Sequence, residues 1–151
     1  MDMDFEKDNY RFNARAAAII YNNDKTKVLL FKIEDGRDYY LLQGGRIKLF
    51  EDSKSAIKRE IKEELGYILD FELCSIQENF LEKNNKKIIQ YCFCYKATYT
   101  GKIKEEVFKC NDNHHQYFHW INLDEISNYK IYPESTYNLL NNNHLKHVIE
   151  K

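Results

Sequence analysis

The sequence predicts an α/β protein, a mixed sheet with helices on both faces. Three observations predict it. Strand-like runs come first, then one long helix, then more strands and a closing helix, an order that fits a mixed sheet covered on both sides. The strand candidates are short apolar runs punctuated by Asn, Asp and Gly. The long helix candidate has its apolar residues on one side only, so it packs onto a layer and is not enclosed.

The elements follow in order. Ala14 to Tyr21 (ARAAAIIY) is small and apolar and reads as a buried strand; Asn22-Asn23-Asp24 turns the chain. Lys27 to Ile33 (KVLLFKI) is the next strand, and Asp38 to Leu42 (DYYLL) a short one. Gly44-Gly45 begins a loop that ends near Glu51. A helix spans about Ser53 to Leu65. Asp52 or Ser53 caps it, because either side chain accepts from the free amides of the first turn. Ile57, Ile61 and Leu65 recur every four residues as its buried stripe, and Gly66 stops it by tolerating a left-handed conformation. Strands are expected at Phe71 to Asn79 and Ile88 to Tyr99 around a polar turn (KNNKK, Lys83 to Lys87), and at Gln116 to Leu123 (QYFHWINL). A short helix starts near Leu123, and a last one, about Pro133 to Asn141, places proline in its first turn.

Composition narrows the function. The 151 residues favour one domain, 1–151. A formal net charge of −1 gives no field to hold a nucleic-acid backbone or an anionic membrane, so neither is expected as a partner. No apolar run approaches the ~20 residues that span a bilayer. The acidic, polar start MDMDFEKDNYRF lacks the basic and then apolar order of a signal peptide, so a cytoplasmic location is expected. Homo-oligomers remain possible. Cys74, Cys92, Cys94 and Cys110 form no CxxC pair, and Cys92 and Cys94 alternate in an apolar run; buried free thiols are the expectation.

The helix poses the functional question. At about 100° per residue, Glu60, Glu63 and Glu64 fall within roughly a 100° arc, next to the buried stripe and not opposite it. They are expected to border the sheet edge and not to face bulk water. Half buried at ~6 Å and an effective dielectric near 20, each like-charged pair costs roughly 3 kcal/mol. That is large beside a total stability of ~5–15 kcal/mol. Either the face is solvated, with Arg59 pairing to Glu63 at i,i+4, or a divalent cation removes the repulsion. Clustered carboxylates suit Mg²⁺ or Mn²⁺, which prefer oxygen ligands.

The spacing of the whole segment bears on that choice. Gly45, five residues, Glu51, seven residues and then Arg59-Glu60-Ile61-Lys62-Glu63-Glu64-Leu65-Gly66-Tyr67 resembles the Nudix box of the Nudix hydrolases. Every fixed acidic, basic and glycine position is matched. The strand-turn-strand before it, HWINLDEI after it and the closing helix after Tyr132-Pro133-Glu134 look like the same family. The resemblance implies an α/β/α sandwich with a loop-helix-loop catalytic motif, which hydrolyses a nucleoside diphosphate linked to another group with Mg²⁺ or Mn²⁺. By that resemblance Glu60, Glu63 and Glu64 hold metal, and Glu63 or Glu64 also orients or deprotonates the attacking water. Glu51 is an accessory ligand at the start of the helix, Arg59 fixes a box glutamate, and Gly45 lets the loop backbone pass close to the sheet. The substrate-binding candidates are Arg15, Tyr40, Gly44 and Gly45. Arg15 interrupts an apolar strand and either reaches phosphate or snorkels to the sheet edge; Tyr39 or Tyr40 either stacks on a base or packs in the core. Gln77-Glu78-Asn79-Phe80 resembles a strand-end segment near the substrate in some relatives.

Departures from the pattern are Gln43, where many relatives have proline, Phe50, where glycine is common, and Tyr67, usually aliphatic. Gln90 stands where one subfamily has an acid. An acid from outside the box would then be Glu105, Glu106 or Asp112. His114, His115 and His119 read as a polar loop and strand start. The alternatives are a catalytically weak nucleotide-binding module and a hydrolase of RNA 5′ ends.

Overall fold

The computed structural model describes residues 1–151. Its strands and helices are β1 (Asp4–Lys7), β2 (Tyr10–Tyr21), β3 (Lys27–Ile33), β4 (Tyr40–Leu41), β5 (Gln43–Arg46) and α1 (Ser53–Leu65), then β6 (Glu72–Lys83) and β7 (Lys86–Thr98). β8 (Val107–Lys109) and β9 (Gln116–Asn122) lead into a 3₁₀ helix, Leu123–Asn128, and β10 (Ile131–Tyr132), α2 (Thr136–Leu140) and β11 (Lys146–Glu150) end the chain. β2 runs parallel to β7, β4 to β10 and β6 to β11, while the remaining pairs are antiparallel. The sheet is therefore mixed, as expected. No helix is long and apolar enough to cross a membrane.

β2 explains how the layers meet. Both its faces are covered, so it reads as a continuous apolar run. Ala14, Ala16, Ala18 and Ile20 face one core cluster with Ala56, Ile57, Ile61 and Leu65 of α1. Ala17, Ile19 and Tyr21 face the other, with Leu139 and Leu140 of α2. The alanine row leaves room for α1 to lie close to the sheet, and Ile57 and Ile61 are fully buried.

Several boundaries differ from expectation. Gly44-Gly45 does not begin a loop: Gln43–Arg46 is a strand paired with Arg15–Ala18. A glycine signal for a turn is overridden because the backbone must lie against the β2 backbone. A Cβ on Gly44, whose φ is +150°, would come within 2.0 Å of Ala16 O. The strand expected over Asp38 to Leu42 shrinks to Tyr40–Leu41. The KNNKK turn tightens to Asn84-Asn85, with φ of 53° and 63°, a left-handed pair that suits a two-residue hairpin, so β6 and β7 run longer than read. The last helix is only Thr136–Leu140, because Pro133 to Asn138 closes through i→i+3 bonds, a tighter turn than an α-helix. β1, β8, β10 and β11 were not legible; they are short, and only their partners make them strands.

Candidate active site

α1 is set by its ends. The Asp52 carboxylate accepts from Ser55 N at 2.8 Å, and Gly66, at φ 74°, returns its N–H to Lys62 O. With Ile57 and Ile61 turned inward, the three glutamates take three different environments. Glu64 is 7% exposed. Glu60 is half-buried. The Glu63 side chain is 49% exposed and faces solvent, which corrects the expectation that all three border the sheet.

Arg59 organises the acids around it. Its Nε and Nη2 donate to the two oxygens of Glu51, both at 2.9 Å, and Nη1 donates to Glu60 Oε1 at 2.7 Å. Nη2 also donates to Arg46 O at 3.1 Å, which fixes the helix to β5. The i,i+4 partner Glu63 is 3.7 Å away, beyond a hydrogen bond. Glu51 also accepts from Lys48 N at 3.0 Å, and the Arg59 guanidinium holds its carboxyl below the usual range. Glu60 in turn lies over Gly45: a Cβ there would come within 2.4 Å of Glu60 Cδ.

Glu64 is the exception to this pairing. Burial first, then the Glu60 charge, pushes its carboxyl up to about 8, against the pull of Arg15. Its Oε2 is buried without a hydrogen-bond partner. Asp112 and Glu63 add to the upward shift. This singles out Asp112 among the three outer acids. Its loop is fixed to the helix end by Asn111 N donating to Glu64 O at 2.9 Å, and its carboxylate accepts from the Cys110 thiol at 2.9 Å. Glu106 pairs with Lys27, and Glu105 lines a separate cleft beside Tyr99 and Trp120. No three His, Cys, Asp or Glu side chains converge on one point in this conformation. His119 packs edge-on against Tyr40, and burial lowers its pKa.

Arg15 joins this site to a cavity of about 600 Å³ on the sheet face away from α1. Arg15 Nη2 donates to Leu42 O at 2.6 Å. The cavity lining includes Arg15, Tyr39, Gln77, Asn79, Gln90 and Tyr132. Asn79 Oδ1 is buried there without a partner, and Gln90 donates to Asn13 at 2.9 Å. Two expectations change here. Tyr39, not Tyr40, lines the cavity, because Tyr40 is held against His119 and Tyr129. Gly44 and Gly45 do not line it but provide clearance, one for the β2 backbone and one for Glu60. Gln77 was readable only as part of the QENF segment. Gln43 was read as a departure, and its use was not legible: it is fully buried and donates to Ala18 O and Leu29 O, where β2 and β3 separate. Phe50, at φ 63°, points entirely into solvent and leaves the loop uncrowded.

Comparison with known proteins identifies the family and the fold. The sequence model of the NUDIX domain matches residues 12–141. No curated protein sequence matches the chain significantly. The fold is similar to that of a MutT protein from Bacillus halodurans, with a TM-score of 0.67, 19% identity and 89% of each chain covered. It is also similar to the dihydroneopterin triphosphate pyrophosphohydrolase of E. coli, with a TM-score of 0.63, 16% identity and coverage of 84% of this chain and 91% of that one. A third similar structure is an ADP-ribose pyrophosphatase from Streptococcus suis, with a TM-score of 0.56, 16% identity and coverage of 91% and 98%. At these identities the likeness is one of fold. The family match spans the box, the sheet that carries it and most of the cavity wall, and the chain belongs to the Nudix hydrolase family.

Proposed function

We propose that this protein is a divalent-metal-dependent pyrophosphohydrolase that cleaves a phosphoanhydride bond in a nucleoside diphosphate linked to another group. One observation carries the reading: Glu64 holds a buried, unpartnered carboxylate oxygen beside the Glu60 charge, and Arg15, whose charge acts on Glu64, lines an amide-lined cavity. Nudix hydrolases generally use divalent metals and act on small nucleotide substrates. The residues fit such an ion, because a buried carboxylate oxygen with no donor facing it is costly alone and is satisfied by a hard cation. Glu60, Glu63 and Glu64 would hold Mg²⁺ or Mn²⁺, which when bound neutralises phosphate charge and acidifies water.

The side chains have distinct tasks. Arg59 aligns Glu51 and Glu60 through its hydrogen bonds and holds the Glu51 carboxyl below the usual range. Arg15 offers positive charge to a phosphate at the cavity edge. Asn79 and Gln77 present amides to a nucleobase edge and Tyr39 an aromatic wall. Glu63, free to turn, and Asp112 are the groups that would orient or deprotonate the attacking water.

The test is turnover. With Mg²⁺ or Mn²⁺, the purified protein is offered ADP-ribose, nucleotide sugars, dinucleoside polyphosphates, nucleoside triphosphates and 5′-triphosphate RNA. Turnover of a small nucleotide well above that of a Glu64→Gln control supports the reading. Binding without turnover on every member favours a nucleotide-binding module instead, and activity confined to RNA favours an RNA-end hydrolase.

A pair of glycine substitutions separates fold from site. In Gly45→Ala the new methyl lands on the Glu60 carboxylate, which can swing aside only by loosening its Arg59 bond, so Mn²⁺ affinity falls by about 10–100-fold while the urea midpoint falls by less than in Gly44→Ala. In Gly44→Ala the methyl meets β2 backbone at a positive φ, and stability falls by on the order of 3 kcal/mol. Equal destabilisation by both would contradict the placement of Glu60.

A further inference from the structure

Three thiols occupy the sheet face away from α1: Cys74 from β6, and Cys92 and Cys94 from β7, all buried and all free. The strand register steps at this point. Leu73 stands opposite Tyr95 and Ser75 opposite Cys94, which leaves Cys74 as the extra residue of a bulge. The bulge turns Cys74 onto the face that Cys94 already occupies, so both thiols belong to one buried cluster. The neighbouring Cys94 thiol, then the Lys96 ammonium, lowers the Cys74 pKa, while Cys74 and burial raise that of Cys94. Cys74 is thus the thiolate former and Cys94 the proton holder. Each thiol of the pair lines a cavity. Cys94 lines the cavity of about 600 Å³, and Cys74 and Lys96 line a second one of about 870 Å³. A small neutral solute has a route to sulfurs that bulk solvent barely touches.

We propose that Cys74 and Cys94 are a dithiol that hydrogen peroxide oxidises to a disulfide, tying β6 to β7 beneath the cavity. The Cys74 thiolate attacks the peroxide: an S–O bond forms, the O–O bond breaks, and the leaving hydroxide takes up a proton as water. The Cys94 sulfur then displaces the sulfenic hydroxyl: the S–S bond forms, the S–O bond breaks, and a second water leaves with the Cys94 proton. Two thiols are oxidised by two electrons and one peroxide is reduced to two waters. Thiolate character and access select this pair, as they do in other oxidation-prone cysteines. Across a bulge two residues, here Cys74 and Ser75, face one on the partner strand, Cys94; a disulfide there needs its Cβ atoms ~3.5–4.5 Å apart, about 1 Å inside the ~4.5–5.5 Å spacing of regular strand pairs. The bulge supplies the movement of about 1 Å, since the ladder is already interrupted there. Cys92 has no bulged partner, and Cys110 lies apart beside Asp112.

The test reads mass and not hydrolysis, so it is independent of the proposed activity. Folded protein is treated with hydrogen peroxide, quenched and analysed intact and by non-reducing peptide mapping. The expected result is loss of the mass of two hydrogens, reversal by dithiothreitol and a Cys74–Cys94 linked peptide. Cys92→Ala and Cys110→Ala should form the same link, and in Cys94→Ser dimedone should label Cys74 as a sulfenic acid. If the wild type keeps its mass, or if the link omits Cys74 or Cys94, the proposal is overturned, whatever the variants do.

Discussion

Glu64→Gln is expected to abolish turnover and, in the metal-free protein, to raise stability at neutral pH. The first effect follows from the buried, unpartnered oxygen that the proposed function gives to a cation. Losing one preorganised electrostatic contact of this kind costs about 10²–10³-fold in rate, and removing a charged donor from a metal site costs at least that much. The second effect follows from linkage. The Glu64 carboxyl is raised from 4.5 to about 8, chiefly by burial. Between those two values the native chain keeps a proton that the unfolded chain has released. Stability therefore falls as pH rises through that window and levels off above it. At ~1.4 kcal/mol per unit, the wild type loses on the order of 3–5 kcal/mol across it. Glutamine has no proton to lose, so this component disappears. Urea unfolding at pH 5 and pH 8 with EDTA measures it. A variant with the same pH slope as wild type would show that Glu64 is not the group responsible. Added Mn²⁺ should restore the wild type at pH 8 and leave the variant unmoved.

Arg59→Ala is the second large effect, and it harms fold and site together. It removes both bonds to Glu51, the bond to Glu60 and the tie to Arg46 O. Two carboxylates whose side chains are only 17% and 16% exposed then lack their cation. Breaking one partner of a buried pair costs about 3–5 kcal/mol, and these groups are partly wet, so about 2–4 kcal/mol is expected. Activity should fall by about 10²-fold, because Glu60 and Glu51 lose their alignment. Lysine should recover little, since it cannot form the two-pronged contact. There is an acid-side signature as well. Glu51 is depressed by Arg59, so its stabilisation is present above its unfolded value and is lost as pH falls through the folded one. In the alanine variant that acid-side loss should be smaller. Should Arg59→Lys match the wild type in both urea midpoint and rate, the forked contact has no role.

What the sequence made legible was local. The spacing from Gly45 to Tyr67, the Asp52 cap, the Gly66 stop and the Ile57-Ile61-Leu65 stripe all depend on neighbours within a few turns of chain, and each is found in place. What it hid depends on distant partners. Gly44-Gly45 reads as a loop until β2 is laid beside it. Glu63 reads as inward until α1 settles on its stripe. Tyr39 and Tyr40 differ by one residue of strand parity, which only pairing to β3 and β10 decides. Asp112 could not be told from Glu105 or Glu106, because its approach to Glu64 runs through a loop anchored at the helix end. Nothing nearby in sequence says that the Gln43 amide closes the gap between Ala18 O and Leu29 O.

β2 turns its even-numbered residues Ala14, Ala16 and Ala18 toward the box helix and its odd-numbered Arg15 and Ala17 toward the cavity. Under the proposed function, bond cleavage and choice of ligand therefore fall on opposite parities of one strand. Point changes on the odd side, or on the Gln77 and Asn79 row beside it, can re-address the protein to another nucleotide while the hydrolytic apparatus is inherited intact. Sequence drift should accordingly be steep on one parity and slow on the other.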